Sequence, residues 1–111
     1  MAAWKPITED EFSQLFDEQY NALDHKEKHL FDRYWVRPWR AVIRRSEDSG
    51  DEQVFVVAQT GGGVLYFDDV EYGFNISGVD ESGRILTPGG SQNTLKEAVA
   101  EWFTPQQSSL R

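Results

Sequence analysis

The chain has no cysteine, which removes disulfides, thiolate metal ligands and a thiol nucleophile from consideration and fits a reducing compartment. Positive charge is scarce: eleven Lys and Arg face nineteen Asp and Glu, for a formal net charge of -8. Such a balance repels nucleic-acid phosphates and anionic membranes, and attracts basic proteins or cations. Long apolar runs are missing as well. Nothing approaches the roughly 20 apolar residues of a membrane span, and the opening MAAWKPITEDEF turns acidic without a signal-peptide core. These absences together predict a cytoplasmic protein that binds neither nucleic acid nor membrane.

What is present suffices for one core. With 111 residues, 39% of them hydrophobic and 14% aromatic, the chain is long enough for one domain spanning 1–111 and too short for two ordinary ones. Thr8 and Glu11 have capping-box spacing, and Phe12, Leu15, Phe16, Tyr20 and Leu23 then recur on one helical face. This predicts a first helix over about 9–24. The following DHKEKHLFDRYWV either continues it or forms a second short helix, so the helical region is placed at 9–33. Pro38 is read as the helix stop, because the residue before a proline is pushed out of the helical region.

From Trp39 the period changes to two, and an antiparallel sheet is expected over 39–87. Trp39, Ala41 and Ile43 alternate with Arg40, Val42 and Arg44. QVFVVAQ is apolar on both faces and reads as a central strand, with VLYFD, YGFNIS and RILT as further candidates between turn-rich segments. Helical spacing returns over 93–103, where Thr94 and Glu97 repeat the capping-box pattern and Leu95, Val99, Trp102 and Phe103 share a face that Pro105 closes. The fold expected is α+β: a single antiparallel sheet of four to five strands with an N-terminal and a C-terminal helix packed on one face. Trp39, Val56, Phe74 and Trp102 are its predicted core markers.

Several patterns invite a chemical reading. The stretch FDRYWVRPWRAVIRR, from Phe31 to Arg45, concentrates arginine and tryptophan in an acidic chain. It is read first as a structural corner, with Trp35 and Trp39 plugging the helix-to-sheet junction and the arginines neutralised by acidic neighbours. Interleaved Arg and aromatics also suit single-strand stacking, and a protein or small-anion contact stays open. His25 and His29 stand four apart with Asp32 beyond, which is ligand spacing on a helix. Lys26 occupies the place where the zinc-protease motif needs Glu, so a solvated helix face is preferred and no metal or other cofactor is expected. TGGGV reads as a hairpin turn and PGGSQNT as a capped helix entry rather than as phosphate cradles. No serine carries a nucleophile motif.

The carboxylates of the turns remain. Asp68, Asp69 and Glu71, with Asp80 and Glu81, could face one end of the sheet if the two loops share it; Tyr66 and Tyr72 would add apolar contact. General acid–base work would require a concave apolar setting that raises one pKa. An acidic patch for a partner requires only exposure. These seven residues are therefore the candidate partner-binding site, and the expected partner is a basic protein.

The segment YFDDVEYGFNISGVDESGRI and the later QNTLKEAVAEWF, a strand pair with acidic turns followed by an amphipathic helix, resemble small acidic bacterial α+β proteins of the toxin-immunity type. The likeness lies in size, acidity and order of elements, over roughly the last two thirds of the chain. It implies a non-enzymatic inhibitor that binds one basic toxin or enzyme and uses charge to find it. A second family, the frataxin metallochaperones, is similar in being cysteine-free, acidic and ordered helix, sheet, helix. That likeness would assign iron handling to Glu9, Asp10, Glu11, Asp17 and Glu18. An enzyme built from scattered residues is the third alternative.

Overall fold

The computed structural model describes residues 7–44, 51–61, 63–70, 72–88 and 92–109, with side chains as far as Trp102. Helix α1 spans Glu9–Asn21. Its start is fixed by the capping box: the Thr8 hydroxyl accepts from the Glu11 N–H at 3.1 Å and the Glu11 carboxylate from the Thr8 N–H at 2.9 Å. The chain then breaks instead of continuing. Asp24 and Glu27 form a second reciprocal box, both bonds 2.8 Å long, so a new helix, α2, begins at His25 and ends at Asp32. Leu23, in the link, is buried.

Strand β1 runs Trp35–Ile43, four residues earlier than the alternation suggests, and takes in Pro38. Proline is tolerated there because β1 lies at the edge of the sheet, and because the pairing with β2 is irregular between Trp35 and Trp39. Pro38 is thus part of a strand and not a helix stop. Strands β2 (Glu52–Gln59), β3 (Val64–Asp68) and β4 (Gly73–Ser77) complete a four-stranded antiparallel meander ordered β1-β2-β3-β4. Helix α3 spans Leu95–Ser109 and so passes through Pro105, which was expected to end it. At the eleventh of fifteen positions Pro105 has no N–H for the Glu101 carbonyl and crowds it, which weakens the last turns of α3 without ending the helix there. Thr94 and Glu97 cap its start, through bonds of 2.8 and 3.1 Å.

All three helices belong to one face of the sheet. There Phe55, Phe67 and Phe74 pair in register across β2, β3 and β4, and Phe12 of α1 stacks on Phe55 at 4.5 Å between centroids and 8° between planes. Leu95, Ala98, Val99 and Trp102 of α3 and Phe31 of α2 enter the same cluster. This is the α+β arrangement expected, with helices from both ends of the chain on a single antiparallel sheet.

The opposite face is covered too, by a device the pattern of strands does not announce. Residues 78–86 fold into a short hairpin, with Leu86 donating to the Gly78 carbonyl at 3.0 Å and Gly83 to that of Asp80 at 3.0 Å. Its second arm is stitched to the outer edge of β1, since Val42 donates to the Gly83 carbonyl at 2.9 Å and Ile85 to that of Val42 at 2.7 Å. Gly83 sits at φ +85° against the Trp39 ring, a backbone conformation that favours glycine. Ile85 and Val79 then close a second core with Ala41, Ile43, Val54, Val56, Val64 and Tyr66. RILT is accordingly no fifth strand; Arg84 and Ile85 make single bridges to Val42 and Val79. Val56, Phe74 and Trp102 are buried as expected, while Trp39 is half-buried under the hairpin. Trp35 is 49% exposed and does not plug the corner. That role falls to Tyr34, whose ring lies 5.9 Å from Trp102.

Candidate functional site

Among the described residues, α1 carries five carboxylates and no basic side chain. Its buried face, Phe12 and Leu15, is fixed by the core. Glu11, Gln14 and Glu18 are exposed, and helical spacing places them along one flank. The turn from β3 to β4 comes up beside that flank because Asp69 accepts the Ile7 N–H at 2.8 Å, tying the helix entry to the turn. Between them lies an open groove of about 560 Å³. Ile7, Leu15, Val70 and Tyr72 supply its apolar lining, and Glu11, Gln14, Glu18 and Asp69 its polar lining.

Tyr72 is the least ordinary residue of the groove. It has φ 62°, the single non-glycine residue with positive φ among those described. A bulky side chain there costs of order one to a few kcal/mol, where glycine or asparagine would be more comfortable. The cost is accepted although the ring is 59% exposed. One edge of it is held at 80° to Phe67 with centroids 5.4 Å apart, and the Tyr72 N–H donates to the Asp68 carbonyl at 2.7 Å. Val70, 40% exposed, stands beside it. Fixed exposed apolar groups bordered by carboxylates form a surface suited to a partner that brings apolar contact and positive charge.

The other members of the predicted site separate. Tyr66 is fully buried in the core under the hairpin and cannot touch a partner. It alternates with Leu65 and Phe67, which face the helices, so it points to the second face, and that face is covered. Asp68 is also fully buried, and its carboxylate accepts the Val70 N–H at 3.0 Å. It builds the turn and adds nothing to the surface. Glu71 lies outside the described residues.

Asp80 and Glu81 are exposed but belong to the hairpin on the opposite face, which is stitched to the β1 edge, whereas Asp69 and Tyr72 lie on the helix side at β4. The sheet stands between the two turns, so they form no common acidic end. Asp80 is largely occupied within its own turn, accepting from the Arg84 N–H at 3.0 Å, the Ser82 N–H at 2.9 Å and the Ser82 hydroxyl at 2.8 Å. These bonds, the Arg84 N–H first, hold its carboxyl below the usual range. Asp51 is lowered likewise, chiefly by the Arg84 guanidinium 3.1 Å away, with Arg44 joining at 3.0 Å. In the groove, the Thr8 N–H and hydroxyl keep the Glu11 carboxyl low, so it is charged at neutral pH.

Of the groove's lining, sequence reasoning names Asp69 and Tyr72 for a partner, names Glu11 and Glu18 only under the iron-handling alternative, and does not single out Gln14 or Val70. The spacing of 11, 14 and 18 along a helix that presents no cation was the signal that could have joined those three to the site. The remaining motifs are accounted for as far as they are described; Gly62 of TGGGV and Gly89, Gly90 and Ser91 of PGGSQNT lie outside the described residues. His25 and His29 are exposed on α2, and Asp32 receives the Tyr20 hydroxyl at 2.8 Å. Among the described residues no group of three His, Asp or Glu side chains converges as a metal cage would require. The turn after β2 closes through Thr60 donating to the Gly63 carbonyl at 2.9 Å, and a Cβ on Gly63 would come within 3.1 Å of the Ser77 carbonyl oxygen. Close strand approach thus accounts for that glycine. At the α3 entry, the Leu95 N–H is taken by Gln19 at 2.7 Å and the Glu97 N–H by Thr94. No helix among the described residues is long and apolar enough to cross a membrane.

Comparison with models of protein families, with curated proteins and with solved structures finds no match. The fold defines the class, α+β with a helix-covered antiparallel sheet, and the groove supplies whatever is inferred about function.

Proposed function

We propose that the protein is a non-enzymatic binding module that recognises a basic partner protein in the groove between α1 and the β3–β4 turn, with its place of action the cytoplasm. The observation that carries this reading is Tyr72, an exposed aromatic side chain kept at positive φ beside Val70 on a wall shared with Glu11, Glu18 and Asp69. A purely solvated turn would relieve that strain with glycine. The carboxylates would raise the rate of encounter with a basic surface, and the fixed apolar pair would slow dissociation. An immunity-type role, in which the module holds a basic toxin or enzyme inactive, is the form of this reading that agrees with the acidity of the chain and with the resemblance carried by roughly its last two thirds.

Affinity capture with the full chain as bait tests it. Wild-type protein is expected to retain a basic partner that both Glu18→Lys and Tyr72→Gly release, with the two variants folded as judged by circular dichroism. Retention of the same partner by both variants would move the binding surface elsewhere.

A further inference from the structure

The arginines of the Phe31–Arg45 stretch do not share one fate. Arg40 lies 3.6 Å from Glu9 and 4.5 Å over the Phe55 ring, and Arg44 meets Asp51 at 3.0 Å. Arg33 and Arg37 are exposed, and neither makes an ion pair or a side-chain hydrogen bond with any described residue, although carboxylates outnumber cations in the chain. Between them in sequence stands Trp35, 49% exposed. Arg37 also lines a cleft of about 290 Å³ whose other walls are Phe12, Phe55, Pro38, Ser13 and Glu9. Beyond the bridge at Val42, no strand among the described residues pairs with the outer side of β1.

We propose that this margin of β1 is a second docking site, and that its occupant is an acidic, extended segment of a partner protein. Carboxylates of the segment would meet Arg33 and Arg37, and one of its apolar side chains would enter the cleft over Phe12, Phe55 and Pro38. Charge complementarity selects this occupant. A planar guanidinium matches a carboxylate bidentately, and two cations without an ion pair to any described residue suffice for a peptide with one or two acidic residues. A nucleic-acid strand presents a continuous run of phosphates, more negative charge than two arginines beside the Glu9 carboxylate can match, whereas a segment with one or two carboxylates needs no more than those two. Pro38 lacks an N–H, so the segment docks by side chains and not as a regular added strand. Both sites border α1, the cleft through Glu9, Phe12 and Ser13 and the acidic groove through Glu11, Gln14, Leu15 and Glu18, and no residue lines both.

A displayed library of random peptides, panned at low salt against the full chain and against an Arg33→Glu, Arg37→Glu variant, tests the proposal. The wild type is expected to enrich sequences that combine Asp or Glu with an aromatic or aliphatic residue, and the variant to lose them. A selected peptide should bind Arg37→Glu about tenfold more weakly or worse, and Glu18→Lys as well as wild type. Enrichment without acidic bias, or equal enrichment by the variant, would overturn it. So would displacement of the peptide by oligodeoxythymidine at matching concentrations, which would assign the margin to nucleic acid. Self-association of the wild type that Arg37→Glu abolishes would make a second copy the occupant and overturn it equally.

Discussion

Two turns of this molecule look alike in sequence and are put to opposite uses. Asp68–Tyr72 and Asp80–Arg84 each open with an aspartate and carry more than one carboxylate. In the first, the aspartates turn toward the framework, Asp68 to the Val70 N–H and Asp69 to the Ile7 N–H, and this leaves Val70 and Tyr72 outward beside the carboxylates of α1. In the second, Asp80 binds its own turn and Arg84 reaches Asp51, which locks a hairpin over the second face of the sheet. The number of acids in a turn therefore does not say what the turn offers a partner. Which lone pairs are already occupied, and what the occupied ones leave exposed, decides it.

That contrast can be broken most easily at its tyrosines. Tyr66→Ala empties a fully buried site under the hairpin, and a loss of about 3–5 kcal/mol is expected, as for other large aromatic truncations, measurable by urea unfolding. A loss below that of an ordinary surface substitution would show the hairpin face to be loosely covered. Asp68→Ala comes next. It strips the Val70 N–H of its acceptor beneath the groove, for about 1–3 kcal/mol, and should destabilise more than Asp80→Ala in the exposed turn. The reverse order would remove the distinction between the two turns.

Acid sharpens the comparison further. The carboxyls of Glu11, Glu27, Asp51 and Asp80 are all held low in the folded chain, Glu27 mainly by Lys96. Between their folded and unfolded pKa values the unfolded chain binds more protons. Their stabilisation is thus present above the ordinary carboxylate values near 4 and is lost as pH falls through the lowered ones. Asp80→Asn should flatten part of that decline in a series of unfolding midpoints taken with decreasing pH. The smallest expected effect on stability belongs to Tyr72→Gly. Relief of the positive φ offsets loss of the Phe67 contact, so the change should stay within about 0.5 kcal/mol while binding in the groove is lost.

The parts of the fold that were legible in the sequence are those governed by local chemistry. Thr8 with Glu11 and Thr94 with Glu97 announce two helix starts, and the alternation from Trp39 announces a strand. Asp24 with Glu27 carries the same signature, yet the apolar spacing running on through Phe31 left the break undecided. The rest depends on contacts distant in sequence. Nothing within VLYFD tells whether Tyr66 meets water or a hairpin that arrives later in the chain, and nothing near Pro38 tells that β1 will lie at an edge where proline is tolerated. The groove was half legible for the same reason: Asp69 and Tyr72 lie in a turn that reads as exposed, whereas Glu11 and Glu18 join it only because the Ile7 N–H finds Asp69.

The central claim, that the α1 and β3–β4 groove meets a basic partner through charge, is tested most directly by the association rate of the captured partner measured across a salt series. Wild-type association should slow as added salt shortens the Debye length from about 10 Å at 0.1 M to about 3 Å at 1 M. Glu18→Lys should associate more slowly at low salt and converge on wild type at high salt. An association rate for Glu18→Lys equal to that of wild type at low salt would contradict the account.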